Sequence, residues 1–216
     1  MDYAAARRNM VESQLRPNRV TDPGVLDALA ATPRELFVPA PVRDMAYTDD
    51  DIPLGSARFM MEPMFIGRLL QLASIGPTDV ALVVGAGSGF AAAIVARLAS
   101  RVVAIESDPT LAAGAKQTLA ALGTSNAAIV EGRMSDGAPH LAPFDVIFFD
   151  GSVAEIPAGI IDQLGEGGRL VAVENQDRVG HAVLLTRDRG VVARLTAFDA
   201  SVPPLPGFER APVFSF

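Results

Sequence analysis

The chain has no cysteine among its 216 residues. That excludes disulfides, thiolate zinc sites and cysteine nucleophiles, and it suits a reducing compartment. Long apolar runs are missing too. The most apolar stretch, 80–105, is broken by Gly85, Gly87, Gly89, Ser100 and Arg101, so no membrane span is expected. The first ten residues, MDYAAARRNM, lack the apolar centre of a signal peptide. Positive charge is in deficit, with 18 Lys and Arg against 25 Asp and Glu and a formal net charge of -7. Such a chain repels phosphate backbones, so nucleic acid is not an expected partner. Arg7, Arg8, Arg16 and Arg19 make a short basic cluster that reads as a solvated helix face. The expectation is a soluble cytoplasmic protein.

What is present is core-forming material. Half the residues are hydrophobic and a fifth are charged, a composition that builds a packed interior. The length suits one α/β domain, residues 1–216, with an N-terminal part at 1–75 and a core at 76–216. Residues 4–15 carry Met10, Val11 and Leu15 on one helical face. Asp22 and Pro23 signal a helix start, with the carboxylate as cap and the proline in the first turn. Residues 32–63 read as an ordered loop region with short helices. Pro63 opens an apolar helix through Leu72, and Met60, Met61 and Met64 fit its core-facing entry.

Beyond residue 75 the pattern changes. Short apolar runs at 80–84, 101–106, 127–130, 145–149 and 169–173 alternate with helical stretches at 88–99, 109–122 and near 156–164. Buried runs alternating with helices predict βαβ units and a parallel sheet. His181–Thr186 and Val191–Ala197, separated by Asp188-Arg189-Gly190, predict an antiparallel hairpin at the sheet edge.

The first run leads directly into Gly85-Ala86-Gly87-Ser88-Gly89. Glycines at a strand exit allow a tight turn and a close approach of main chain to ligand. A bare structural turn is the bland alternative. The second run ends in Glu106, about 20 residues on, where a carboxylate can accept from both hydroxyls of a ribose. The loop lacks the spacing of a dinucleotide site and the lysine of a phosphate-binding loop. Gly85, Ala86, Gly87, Ser88, Gly89 and Glu106 are therefore candidates for an adenosyl cofactor.

Several spaced segments resemble the protein-L-isoaspartate O-methyltransferase family over nearly the whole chain. In the N-terminal half they are Met10-Val11-Glu12-Ser13-Gln14-Leu15-Arg16, Val20-Thr21-Asp22, Pro33-Arg34-Glu35-Leu36-Phe37-Val38-Pro39 and Ala46-Tyr47. Later ones include Glu155-Ile156-Pro157, Gln163-Leu164 and Gly167-Gly168-Arg169-Leu170-Val171. The resemblance implies a class I S-adenosylmethionine-dependent, Rossmann-like methyltransferase fold. It implies a mostly parallel sheet, an antiparallel C-terminal hairpin and an N-terminal helical extension. It also implies S-adenosylmethionine as cofactor, and carboxyl methylation of isoaspartyl residues in a protein or peptide substrate.

The chain departs from the family at both ends of the site. Where the family has a hydroxyl-bearing Gly-Gln-Thr-Ile-Ser type motif, this chain has Ala57-Arg58-Phe59-Met60-Met61. Phe59 and Met61 cannot donate hydrogen bonds to a carboxylate. Arg58 could grip one, although it reads first as a solvent-facing loop residue. Val83 replaces a strand glutamate, and Arg133 replaces the acid that resemblance would place at the adenine amino group. One alternative is thus a catalytically degenerate homologue that acts as a binding or interaction protein. Another follows from Phe144-Asp145-Val146-Ile147-Phe148-Phe149-Asp150, which looks like the metal-binding strand of magnesium-dependent small-molecule O-methyltransferases. Asp150, Glu174 and Asn175 would be its oxygen ligands, against the bland reading of solvated strand-end acids. The expectation is no metal. His140 and His181 read as surface or structural residues, and Ser88 and Ser135 lack a nearby base. The aromatic tail, Phe208 through Phe216, packs on the sheet or on a partner chain. No catalytic residue is assigned, and the oligomeric state is left open.

Overall fold

A computed structural model of the chain describes residues 1–176 and 179–209. The tail from 210 to Phe216 lies outside them. Seven strands form one sheet in the order β5-β4-β3-β6-β7-β8-β9. They are β3 (Val80–Val84), β4 (Arg101–Glu106), β5 (Ala127–Glu131), β6 (Phe144–Val153), β7 (Leu164–Gln176), β8 (Val179–Asp188) and β9 (Val191–Asp199). β3 pairs in parallel with β4 and β6, and β4 with β5. β6 pairs in parallel with β7, while β8 and β9 run antiparallel to their neighbours. The chain winds outward from β3 to β5, then returns to the other side of β3 at β6. That reversal opens a crevice at the strand ends, where ligands of such sheets bind.

The period of two along the strands sorts the interior into two layers. Val83, Val102, Ala104, Val146, Phe148 and Val171 face one cluster. It is completed by the helices α2 (Pro23–Ala31), α3 (Pro63–Ala73), α4 (Phe90–Leu98) and α5 (Pro109–Ala121). Leu82, Val84, Val103, Ile105, Ile147, Phe149 and Leu170 face the other, which takes in Leu205 and Phe208. Phe208 meets Phe149 edge-on with ring centroids 5.7 Å apart, so this aromatic of the C-terminal stretch packs on the sheet.

The helix expected at 4–15 begins as α1 (Tyr3–Met10) and continues as one π-helical turn, Val11–Leu15. The helix expected near 156–164 is only α6 (Ala158–Ile161), because Gln163 turns into the next strand and its amide bridges the loop at Asp136 and Ala138 to the Gly159 carbonyl of α6. Asp22 caps α2 by accepting from the Val25 N–H at 3.0 Å. Asp22→Ala should lower folding stability by about 1 kcal/mol, the usual worth of an N-cap, read as a shifted urea midpoint.

Two strands inside 32–63 were not expected. β1 (Ile52–Gly55) and β2 (Arg58–Met60) form a separate antiparallel hairpin. Ile52 and Leu54 point inward on one strand, Arg58 and Met60 on the other. This hairpin lies over the crevice. Among the described residues no helix is long and apolar enough to cross a membrane.

Candidate functional site at the strand switch

The glycine turn is built by β3 and β4 together. The Gly85 and Ala86 N–H groups both donate to the Ile105 carbonyl, at 3.0 and 2.9 Å. Gly85 then adopts φ of 87°, a left-handed conformation that glycine takes without a side-chain clash. Glu106 is the last residue of β4 and is fully buried. Its Oε2 accepts from Gly87 N–H at 2.7 Å. Its Oε1 accepts from Ser107 N–H at 2.9 Å and Asp108 N–H at 3.1 Å. The glycine turn and the candidate ribose acid are thus in direct contact.

Arg58 stands in the same place. It is 3% exposed, not the solvent-facing loop arginine that its neighbourhood in the sequence suggests. Its Nε donates to Glu106 Oε2 at 3.3 Å and its Nη2 to the Gly85 carbonyl at 2.7 Å. The inward face of β2 carries it there, and it therefore sits on the glycine turn. From the other side comes Leu205. The Ser152 N–H donates to the Pro203 carbonyl at 2.9 Å, and the Leu205 N–H to the Ser152 carbonyl at 2.8 Å. This bridge runs along the end of β6, where β3 has already stopped. A Cβ placed on Gly85 would lie 2.7 Å from Leu205 Cδ2 and 2.9 Å from Arg58 Nη2.

A second buried arginine flanks the crevice. Arg34 is fully buried, donates through Nε to the Ala46 carbonyl at 2.6 Å and through Nη2 to the Met61 carbonyl at 2.5 Å. Its guanidinium lies 4.9 Å from the Phe90 ring centroid. Burial pulls its pKa down to about 10, opposed chiefly by the negative field of Asp150. Asp150 sits at the outer end of β6, 7% exposed, and burial pushes its carboxyl up to about 7 against the pull of Arg58 and Arg34. Asp150 Oδ1, Arg34 Nη1 and Ser88 Oγ have no hydrogen-bond partner among the described residues. Nothing in the sequence alone marked Arg34, beyond the oddity of a charged pair in the apolar stretch 33–39.

Phe59 is half-buried and Met61 is buried, with its carbonyl taken by Arg34. Val83 is plain core and Arg133 is exposed. Of the three candidate metal ligands, Glu174 and Asn175 have protein partners of their own. Glu174 pairs with Arg194 at 2.6 Å and accepts from the Ile156 N–H, and Asn175 donates to Ser152 Oγ at 2.7 Å. No group of three His, Cys, Asp or Glu side chains suited to a metal occurs among the described residues. Arg7, read as a solvated residue, is instead one corner of a network. It donates to Tyr47 Oη at 3.0 Å and Glu35 Oε1 at 3.1 Å, and Tyr47 donates to Glu35. His140 is exposed, and His181 contacts Asp199 at 2.8 Å at the sheet edge.

The family described as protein-L-isoaspartate(D-aspartate) O-methyltransferase matches residues 6–196 of the chain. A protein-L-isoaspartate O-methyltransferase of Methanoregula boonei is 40% identical over 182 residues, covering 84% of each protein. Its counterpart from Koribacter versatilis is 35% identical over 205 residues, 95% of this chain and 92% of the relative. Two solved structures share the fold. A protein-L-isoaspartate O-methyltransferase superposes with a TM-score of 0.81 at 23% identity, over 93% of this chain and 66% of that longer one. A Plasmodium falciparum protein, a putative enzyme of the same name in complex with S-adenosyl-L-homocysteine, gives 0.80 at 19% identity, over 92% and 97%.

Proposed function

The chain belongs to the protein-L-isoaspartate O-methyltransferase family, and on that premise we propose that it moves a methyl group from S-adenosylmethionine to a carboxylate oxygen of a protein or peptide. The observation that carries the reading is the contact between a glycine turn and a buried carboxylate at the neighbouring strand tip, Gly87 N–H to Glu106. Gly85, Ala86, Gly87, Ser88 and Gly89 offer main chain to the cofactor, and Glu106 accepts from its ribose hydroxyls. Arg58, Phe59 and Met61 lie on the substrate-side segment of the family. Residues 1–75 and 76–216 act as one domain, and the cytoplasm is its compartment.

The main chain of the glycine turn and the buried Glu106 carboxylate suit the cofactor in chemistry. Arg58 and Leu205 fill the approach to Gly85. S-adenosylmethionine supplies an electrophilic methyl carbon when bound. The chain's part is to align the acceptor oxygen and to keep water out. The packing of Arg58 and Leu205 against Gly85 also favours a second reading, a homologue that keeps the fold and has ceased to methylate.

Transfer of radiolabelled methyl to an isoaspartyl peptide separates the two. The expected result is a base-labile methyl ester. In Glu106→Ala, turnover at limiting cofactor should fall by at least about 10-fold, the loss of a charge-assisted hydrogen-bond pair. No labelling of the peptide by the wild-type chain at saturating cofactor would sink the enzymatic reading.

A further inference from the structure

Glu106 has no spare acceptor position in this conformation. Oε1 takes the Ser107 and Asp108 N–H groups, and Oε2 takes Gly87 N–H and Arg58 Nε. A ribose diol brings two O–H donors to a carboxylate. The Arg58 guanidinium brings its own donors to the same carboxylate and to Gly85 O. Leu205 lies against the glycine turn itself, its Cδ2 only 2.7 Å from where a Cβ on Gly85 would lie.

We infer that Arg58 and Leu205 form a displaceable latch, which competes with the nucleoside of the cofactor for Glu106 and the glycine turn. The inference rests on the proposed function and adds its regulation: apparent cofactor affinity is set by the fraction of molecules in which the latch is open.

Three features make the latch able to open. The Arg58–Glu106 contact of 3.3 Å is long for a charge-assisted bond, which is usually ~2.7–2.9 Å. Among the described residues the strand pairing of the hairpin is confined to β1 and β2, with no ladder to the main sheet, and isolated two-stranded hairpins are marginally stable. Its turn holds Ser56 and Ala57 at φ of 50° and 54°, left-handed values that cost non-glycine residues energy. The tip is tethered to the N-cap of α5 through Ser56 Oγ, which donates to Asp108 Oδ2 at 2.5 Å. Departure of Arg58 does not strand Glu106, because three main-chain N–H donors stay with it. Arg58 itself moves toward water, where its charge is solvated.

The test is calorimetric titration of S-adenosylhomocysteine into the full-length chain and into Arg58→Ala, Arg58→Lys and Leu205→Ala. Arg58→Ala should bind at least ~10-fold more tightly than wild type, about 1.4 kcal/mol. Leu205→Ala should gain several-fold, and Arg58→Lys should fall between wild type and Arg58→Ala, since an ammonium cannot span both Glu106 and Gly85 O. Leu205→Ala leaves the ion pair intact and carries the test by itself if Arg58→Ala does not fold. Equal affinity in wild type, Arg58→Ala and Leu205→Ala overturns the latch and leaves the cofactor reading standing. Weaker binding in Arg58→Ala also overturns it, making Arg58 a cofactor contact. Absence of binding in all four proteins removes the latch and the cofactor reading together.

Discussion

Replacing Arg34 by alanine should lower folding stability by about 3–5 kcal/mol. The side chain is fully buried, with its guanidinium over the Phe90 ring of α4. It holds two separate segments by their carbonyls, Ala46 at 2.6 Å and Met61 at 2.5 Å. Alanine leaves both carbonyls without that donor, opens a cavity against Phe90, and takes away the positive charge that offsets Asp150. Each effect has the same sign. Arg34→Met separates them, because it restores volume and no donors. Methionine should recover only the packing share, so the urea midpoint of Arg34→Met should sit between those of wild type and Arg34→Ala. A change below about 1 kcal/mol in Arg34→Ala would mean that water replaces the guanidinium in this pocket, and that the segment 33–47 is not pinned by it.

The centre of the sheet was legible in the sequence because β3, β4 and β6 are buried on both faces. Val80–Val84 and residues 102–105 are continuous apolar runs of strand length, and parallel strands in such sheets have that signature. The glycine turn and Glu106 were legible for a related reason. Each is fixed by local requirements, one by a positive φ at Gly85 and the other by its place at a strand end. The hairpin β1–β2 was not legible. Its strands have four and three residues, too few to establish a period of two, and its turn uses Ser56-Ala57 where an Asn-Gly pair would have announced itself. The Arg58–Glu106 pair spans 48 residues, and no local pattern connects two charges so far apart. Leu205 was hidden for the same reason, since its position depends on the main-chain bridge to Ser152. A lone arginine in a loop reads as solvated by default, and only the inward face of β2 reverses that.

Asp150→Asn should flatten a pH dependence that Asp150 imposes on folding. The carboxyl is pushed from 3.8 to about 7 by burial, with Glu106 adding to the rise and Arg58 and Arg34 opposing it. In the unfolded chain it ionises near its ordinary value. Between those two values the native state therefore binds a proton that the unfolded state has released, and stability falls as pH rises. The stability tied to the neutral form is fully present below about pH 4 and is lost as pH passes through about 7. A shift of about three pH units corresponds to roughly 4 kcal/mol as an upper bound, since each unit is worth about 1.4 kcal/mol. Glu62, also raised to about 7 by partial burial and by Asp49, Asp51 and Asp50, adds a slope of the same sign. Wild type alone would not separate the two groups, whereas the difference between Asp150→Asn and wild type cancels Glu62. That difference should favour the variant increasingly from pH 4 to pH 8 and then level off, measured by urea unfolding at each pH. Asparagine keeps the shape and carries no charge, so the crevice it lines stays packed while Arg58 loses one of the two carboxylates whose field it feels. A difference that stays constant from pH 4 to pH 8 would show that Asp150 is ionised throughout, held by the two arginines against the cost of burial.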